Sequence, residues 1–291
     1  MHIHSLKEAK SFIASIKNSG ETIGSVHTLG ALHRGHGILI QQSAQENQHT
    51  IVTVYPNKIQ LFPGLKYKFD LEADVQFALD NGATAVISST DEEMFPSDYR
   101  TYIDQGISHS RLNSSVFSYA SRGQVTGSIR WINFTQPTRS YFGLKDIEQA
   151  ILVKRAVDDL LINTEIVHVP SIRLSNGVPI SSRLLHHNND VLTEVGLLYK
   201  TLTDARLLIA EGQNNATEII KFIKAQLSNN VKIFTPLYVT IVDPVDFLEV
   251  EQIKLPFIIH AAIQHDKLTH FDGLWIRSEA DLKNGPPIIW L

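Results

Sequence analysis

Cysteine is absent from all 291 residues. That excludes disulfides, zinc–thiolate sites and cysteine nucleophiles. A dominant charge is missing too. The 26 Lys and Arg residues against 30 Asp and Glu residues leave a formal net charge of -4, with no basic run that would mark a nucleic-acid footprint. Any phosphate-binding patch must therefore be local. No apolar stretch approaches the roughly 20 residues of a membrane span. Met1 to Lys7 lack the apolar core of a secretion signal, so a cytoplasmic location without membrane or nucleic-acid partners is expected. There is no repeat, no low-complexity segment and no His, Asp or Glu spacing that builds a protein metal cage.

What the chain does have is ordinary globular composition, 43% hydrophobic and 19% charged, and enough length to bury a core without staples. Short apolar runs alternate with longer amphipathic ones. Thr22 to Val26, Thr50 to Tyr55, Ala85 to Ser88, Arg139 to Phe142 and Glu165 to Val169 read as strands. Helices are expected from about His36 to Asn47, Asp70 to Asn81 and Lys145 to Leu161. This alternation argues an α/β fold with a mostly parallel sheet over residues 1–171, whose ligands bind at the carboxyl ends of the strands. After residue 171 the order changes to two helices, Asp190 to Glu211 and Ala216 to Leu227. Strands at Leu237 to Val242, Phe257 to Ile263 and Gly273 to Ile276 follow. That predicts a small α+β domain over 172–291, with the tail from Lys283 to Leu291 on its surface.

Four constellations carry chemistry. In the first, Thr28-Leu29-Gly30 leads from a strand into His33-Arg34-Gly35-His36 at a helix start. There backbone N–H groups and the helix dipole favour an anion, and two imidazoles can add donors. In the second, Gly143-Leu144-Lys145-Asp146, Gly143 permits close backbone approach. Lys145 offers a point charge for phosphate and Asp146 an acceptor for a ribose hydroxyl. The third, Ser181-Ser182-Arg183, places two hydroxyls and a guanidinium on one loop, suited to clamping a triphosphate. The fourth, Asn57 with Gln60, offers neutral amides that can orient a hydroxy acid. Each segment also reads as an ordinary helix start or polar loop. The acidic Asp91-Glu92-Glu93 reads as a solvated face, His186-His187 as a solvated pair, and His260, His265 and His270 as structural or surface residues.

In this order the four resemble the pantothenate synthetase (pantoate–β-alanine ligase) family, from about Ile23 to Ile276. Thr28 to His36 resembles that family's P-T-M-G-A-L-H-x-G-H. Asn57 and Gln60 fit F-V-N-P-x-Q-F. Tyr141 to Asp146 with Gln149 resembles Y-F-G-x-K-D-x-x-Q, and Ser181-Ser182-Arg183 its S-S-R loop. Leu71-Glu72-Ala73-Asp74, Glu93-Met94-Phe95-Pro96 and Tyr238 to Pro244 also have counterparts. The resemblance implies a Rossmann-like nucleotidyl-transferase domain with a small C-terminal lid domain, in a homodimer. It implies that ATP, with Mg²⁺, activates pantoate as an acyl-adenylate, which β-alanine then attacks. On it, His33, His36, Lys145, Ser181, Ser182 and Arg183 hold phosphates, and Thr28, Leu29, Gly30, Gly35, Gly143 and Asp146 line the nucleotide. Gln60 and Gln149 hold pantoate, and Asn57 lies near the amine. The family's Pro is His27 here, its H-F-x-G reads Ala120-Ser121-Arg122-Gly123, Arg-Asn after the serines is Arg183-Leu184, and the segment between Gln60 and Leu71 is shorter. A ligase for another acid and amine, or a non-catalytic nucleotide-binding protein, are the alternative readings.

Overall fold

The computed structural model describes residues 1–60, 70–106, 112, 118–181, 188–265 and 268–291. The chain divides into two compact units, residues 1–105 with 117–169, and 106–116 with 170–291.

The first unit holds a six-stranded sheet: β1 (His2–Ile3), β2 (Ile23–Thr28), β3 (His49–Val54), β4 (Ala85–Ser88), β5 (Arg139–Gly143) and β6 (Glu165–Val169). Its order is β1-β4-β3-β2-β5-β6, and every pairing is parallel. The chain winds outward from β2 through β3 and β4, then returns to build β5 and β6 on the other side. The order therefore reverses between β2 and β5, where a crevice opens at the carboxyl ends of an open parallel sheet.

Alternation along the strands sets the two faces. Ile23, Ile51, Ala85 and Ile87 pack on α1 (Leu6–Asn18), through Ala9, Ile13 and Ile16, and on Trp131 of α5 (Ser118–Thr135). On the other face lie α2 (Arg34–Glu46) and α3 (Leu71–Asp80). Gly24 lets α2 come close, since a Cβ there would collide with Ser43 and Asn47 of that helix. The helix expected from Lys145 starts later: Leu144–Asp146 is a 3₁₀ turn, and α6 runs Ile147–Asp159. α2 begins two residues earlier than expected because His33 is its N-cap.

The expected solvated acidic face is only partly so. α4 (Asp91–Met94) carries Asp91, which accepts from the Tyr55 hydroxyl at 2.9 Å, and Glu93, which accepts from Leu6 N at 3.0 Å and closes a capping box with Thr90. These carboxylates satisfy a first-turn amide of α1 and the hydroxyl of a buried tyrosine, donors that would otherwise be left unpaired.

In the second unit, α7 (Asn189–Ala210) and α8 (Ala216–Asn230) pack on an antiparallel sheet in the order β10-β9-β8. Its strands are β8 (Thr235–Val242), β9 (Phe257–His265) and β10 (Leu268–Ile276). The core between helices and sheet is formed by Leu198, Leu202, Ile219, Ile223, Ile241, Ile259 and Ile276. After α9 (Glu279–Asn284) the tail lies on the surface as expected, with none of residues 283–291 buried, and forms a strand there. β11 (Ile288–Trp290) pairs in parallel with β7 (Ser171–Arg173) and leaves only Trp290 half exposed. Pro286 and Pro287 end the helix and set the chain extended.

Candidate active site

The loop from Thr28 to His33 leaves β2 at the reversal point through two consecutive left-handed residues, Gly30 (φ 92°) and Ala31 (φ 52°). The left-handed conformation is free for glycine and strained for alanine. The Thr28 hydroxyl donates to Thr53 O at 2.9 Å and ties the loop to β3.

His33 then caps α2 with its ring. Its Nδ1 accepts from Gly35 N at 3.1 Å, while His33 N donates to Nδ1 of His36 at 3.3 Å. Backbone amides can only donate, so both Nδ1 atoms are acceptors and both neutral rings carry their proton on Nε2. The rings stack with centroids 4.1 Å apart and 29° between planes. Burial lowers the pKa of His33 to about 4, with the Lys145 charge adding to the shift and Asp146 opposing it. Burial lowers His36 to about 3, assisted by His33. At neutral pH the pair is thus two uncharged donors side by side.

This changes how the site can hold an anion. The sequence suggests backbone N–H groups at the start of α2. The structure commits those of Ala31 and Leu32 to Asp74, that of His33 to His36, and that of Gly35 to His33. Further candidate donors for an anion are the imidazole Nε2–H groups and Lys145. The latter sits just beyond the carboxyl end of β5, in the 3₁₀ turn, with its Nζ 3.4 Å from Asp146 Oδ1. Lys145 and Asp146 both act electrostatically on both rings, so the four groups lie within electrostatic reach of one another.

The acid-binding candidates lie in the turn after β3 and at the start of α6. Asn57 is buried in the turn after β3. Its Nδ2 donates to Gly123 O at 3.1 Å and its Oδ1 accepts from Ile59 N at 3.3 Å. Gly123 and Gly127 of α5 make room for this turn, since a Cβ at either would strike Ile59 O or the Asn57 amide. Gln60 is partly exposed at the end of the turn, and Gln149 lies partly exposed in the first turn of α6.

Ser181 belongs to the second unit, and Ser182, Arg183 and the His186-His187 pair lie outside the described residues. Ser181 follows a hairpin tied by Leu174 N to Val178 O (2.9 Å) and Ile180 N to Ile172 O (3.0 Å). Arg173, at the root of that hairpin, is buried against Asp272 in a two-pronged ion pair of 2.5 and 2.8 Å, and its Nη1 also donates to Gly177 O. The structural readings of two second-unit histidines hold. His260 is buried, with Nδ1 2.9 Å from the Tyr238 hydroxyl, and His270 is buried against Phe234.

His27 is a further find. Its ring bridges Thr53 Oγ1 (3.0 Å) and Ser25 Oγ (3.1 Å), lies parallel to Trp131, and has its pKa pushed to about 3 by burial. His27, His33 and His36 all resist protonation in the folded chain, while the unfolded chain takes up these protons near pH 6.5. Stability is therefore full above pH 6.5 and falls as the pH drops towards 4. The slope is on the order of 1.4 kcal/mol per pH unit for each histidine. Melting temperatures recorded between pH 7.5 and 4.5 should fall steeply in that window; an unchanged value would contradict the buried neutral rings.

A doubly wound parallel sheet with two imidazoles and a lysine near its reversal point suits an enzyme that binds a nucleotide there. A family model for pantoate-beta-alanine ligase matches residues 1–275, and the chain belongs to that family. A pantothenate synthetase of Acetivibrio thermocellus is 32% identical over 278 residues, spanning 94% of this chain and 98% of that protein. The crystal structure of pantothenate synthetase from Thermus thermophilus superposes with a TM-score of 0.86 at 27% identity. It covers 95% of this chain and 99% of that one. The pantoate-beta-alanine ligase of Francisella tularensis, solved with beta-gamma ATP and beta-alanine, shares the fold with a TM-score of 0.75 at 23% identity, over 94% and 97% of the two chains.

Proposed function

We propose that this chain joins pantoate to β-alanine at the expense of ATP, releasing AMP and pyrophosphate, and that the residues of the reversal point carry the first step. The observation that supports it most is the pair of neutral, Nε2-protonated imidazoles beside Lys145 and Asp146. A pantoate carboxylate oxygen attacks the α-phosphorus of ATP, the bond to the bridging oxygen breaks, and pyrophosphate leaves. His33 and His36 donate to phosphate oxygens without adding full charges. Lys145 neutralises charge gathering on the leaving group, a contribution that works because the donors are already oriented. Ser181, Ser182 and Arg183 join the phosphates in this reading. Thr28, Leu29, Gly30, Gly35 and Gly143 let the nucleotide approach the backbone, and Asp146 accepts from the ribose.

In the second step the unprotonated β-alanine amine attacks the acyl carbon, the bond from that carbon to the phosphate oxygen breaks, AMP departs with the electron pair, and the nitrogen releases a proton to solvent. Gln60 and Gln149 hold the pantoate. Because both ends of the Asn57 amide are engaged, we assign Asn57 to shaping the turn that presents Gln60. Among the described residues there is no cluster of three metal-ligating groups, and both imidazole Nδ1 atoms are taken. Magnesium bound to ATP would share the phosphate charge. A homodimer in the cytoplasm completes the reading; light scattering on the purified chain tests the dimer. No helix among the described residues is long and apolar enough to cross a membrane.

The matched length and the family model speak against the readings of another acid and amine or of a non-catalytic binder. The test crosses a panel of acids with a panel of amines and records AMP. Pantoate with β-alanine should lead. An analogue lacking the pantoate 2-hydroxyl should lose about tenfold to a hundredfold, since it leaves a glutamine amide unpaired at about 1–3 kcal/mol. Equal turnover of the deoxy analogue would count against the assigned amides, and a different leading pair against the substrates.

A further inference from the structure

Asp74 sits in α3, 43 residues along the chain from Ala31, yet its carboxylate closes on the loop between β2 and α2. Ala31 N donates to Oδ2 at 2.7 Å and Leu32 N to Oδ1 at 2.6 Å. The carboxylate is buried, at 5% exposure. α3 is itself fixed: Asp70 caps it by accepting from Ala73 N at 3.1 Å, and Gly37 of α2 leaves room for Asn81 and Phe77. The carboxylate is therefore aimed from a rigid element.

Two successive left-handed residues followed by convergent N–H groups form a concave backbone nest for an anion. In a nucleotide-binding enzyme such a nest would be expected to hold phosphate. Here the protein's own carboxylate fills it.

We propose that Asp74 is a positioning residue that occupies this nest in place of ATP phosphate. It pins strained Ala31 and so sets the His33–His36 pair on which the phosphates are held. The inference rests on the nucleotide reading of the reversal point, and it adds that the loop is closed before ATP arrives. Two consequences separate this role from simple support of the fold. Emptying the nest should spoil use of ATP and leave use of the acid alone. It should also open a second place for an anion, so that inorganic phosphate becomes an inhibitor.

The variants are Asp74→Asn and Asp74→Ala, each alone and with Ala31→Gly. The assay is pantoate-dependent ATP–pyrophosphate exchange, with and without inorganic phosphate. Asp74→Asn should lose about a hundredfold in kcat/KM for ATP, the scale of a misplacement of about 1 Å, with KM for pantoate within about twofold. Ala31→Gly should recover about fivefold or more of that loss, because glycine holds the left-handed turn without the clasp. Inorganic phosphate should inhibit Asp74→Ala and leave the parent enzyme unaffected. A folded Asp74→Asn protein with unchanged ATP kinetics would overturn the proposal. So would equal losses for ATP and pantoate with no recovery by glycine and no phosphate inhibition.

Should the variants not fold, hydrogen exchange on the parent chain decides. Protection of the Ala31 and Leu32 amides before nucleotide is added supports the clasp, and protection arising only with an ATP analogue overturns it. If the parent enzyme shows no exchange with pantoate, the substrate reading fails, while the hydrogen-exchange measurement still tests the clasp.

Discussion

Replacing Lys145 by alanine should lower the rate of adenylate formation about a hundredfold, the usual effect of losing one oriented electrostatic contact. The fold should survive. Lys145 is partly exposed, lies in a 3₁₀ turn beyond the end of β5, and contacts Asp146 at 3.4 Å across the crevice edge. The loss should fall mainly on turnover, because charge grows on the departing pyrophosphate as the bond to the α-phosphorus breaks. His33 and His36 do not compensate, since burial keeps both neutral. Pyrophosphate exchange in the purified variant, with circular dichroism as the control for folding, reads the outcome. Near-normal exchange in a folded Lys145→Ala protein would remove Lys145 from the phosphate site.

The second large effect concerns stability. Asp272→Ala should destabilise the chain by about 3–5 kcal/mol, because it leaves the Arg173 guanidinium buried without its counter-charge. Side-chain exposures of 1% and 2% exclude rescue by solvent. Arg173 also lies over the Tyr199 ring, 4.1 Å from its centroid, and holds Gly177 O, so its displacement loosens the hairpin that leads to Ser181. Replacing the pair together by apolar residues of similar size should cost much less than either single change, since the penalty comes from the charge left alone. Urea unfolding of the single and double variants measures this. A shift below about 1 kcal/mol for Asp272→Ala would contradict the buried pair.

Much of the first unit is legible in the sequence because its strands are buried on both faces and read as continuous β-branched runs. Ala85 to Ser88 is read to the residue, and Thr50 to Tyr55 is displaced by one. α5 is not legible. Its Ser118–Thr135 sequence is rich in glycine, serine and threonine, poor helix formers, and the helix is held instead by packing of Trp131 and Ile132. β10 reads short because His270 and Asp272 interrupt the apolar pattern, while pairing with β9 carries the strand back to Leu268.

The chemical residues follow the same division. His33, His36 and Lys145 announce themselves through local spacing beside glycine. The states of their protons do not, because these depend on which backbone amide reaches each Nδ1. Asp74 and Asp272 act on residues 43 and 99 positions away in the chain, respectively. Such reach follows from topology and from the elements that aim them. His27, the departure from the family's proline, is explained by a polar strip. Ser25 donates to Ser140 at 2.9 Å and both ring nitrogens find hydroxyls, so an imidazole replaces the proline without an unpaired polar atom.

The central claim is that the cluster at the reversal point transfers AMP from ATP to pantoate before any amine is present. Exchange of labelled pyrophosphate into ATP, measured with pantoate and magnesium and with β-alanine omitted, tests it most directly. Exchange that requires pantoate and collapses in Lys145→Ala is the expected result. Exchange that proceeds without an acid, or that fails with pantoate until β-alanine is supplied, would contradict it.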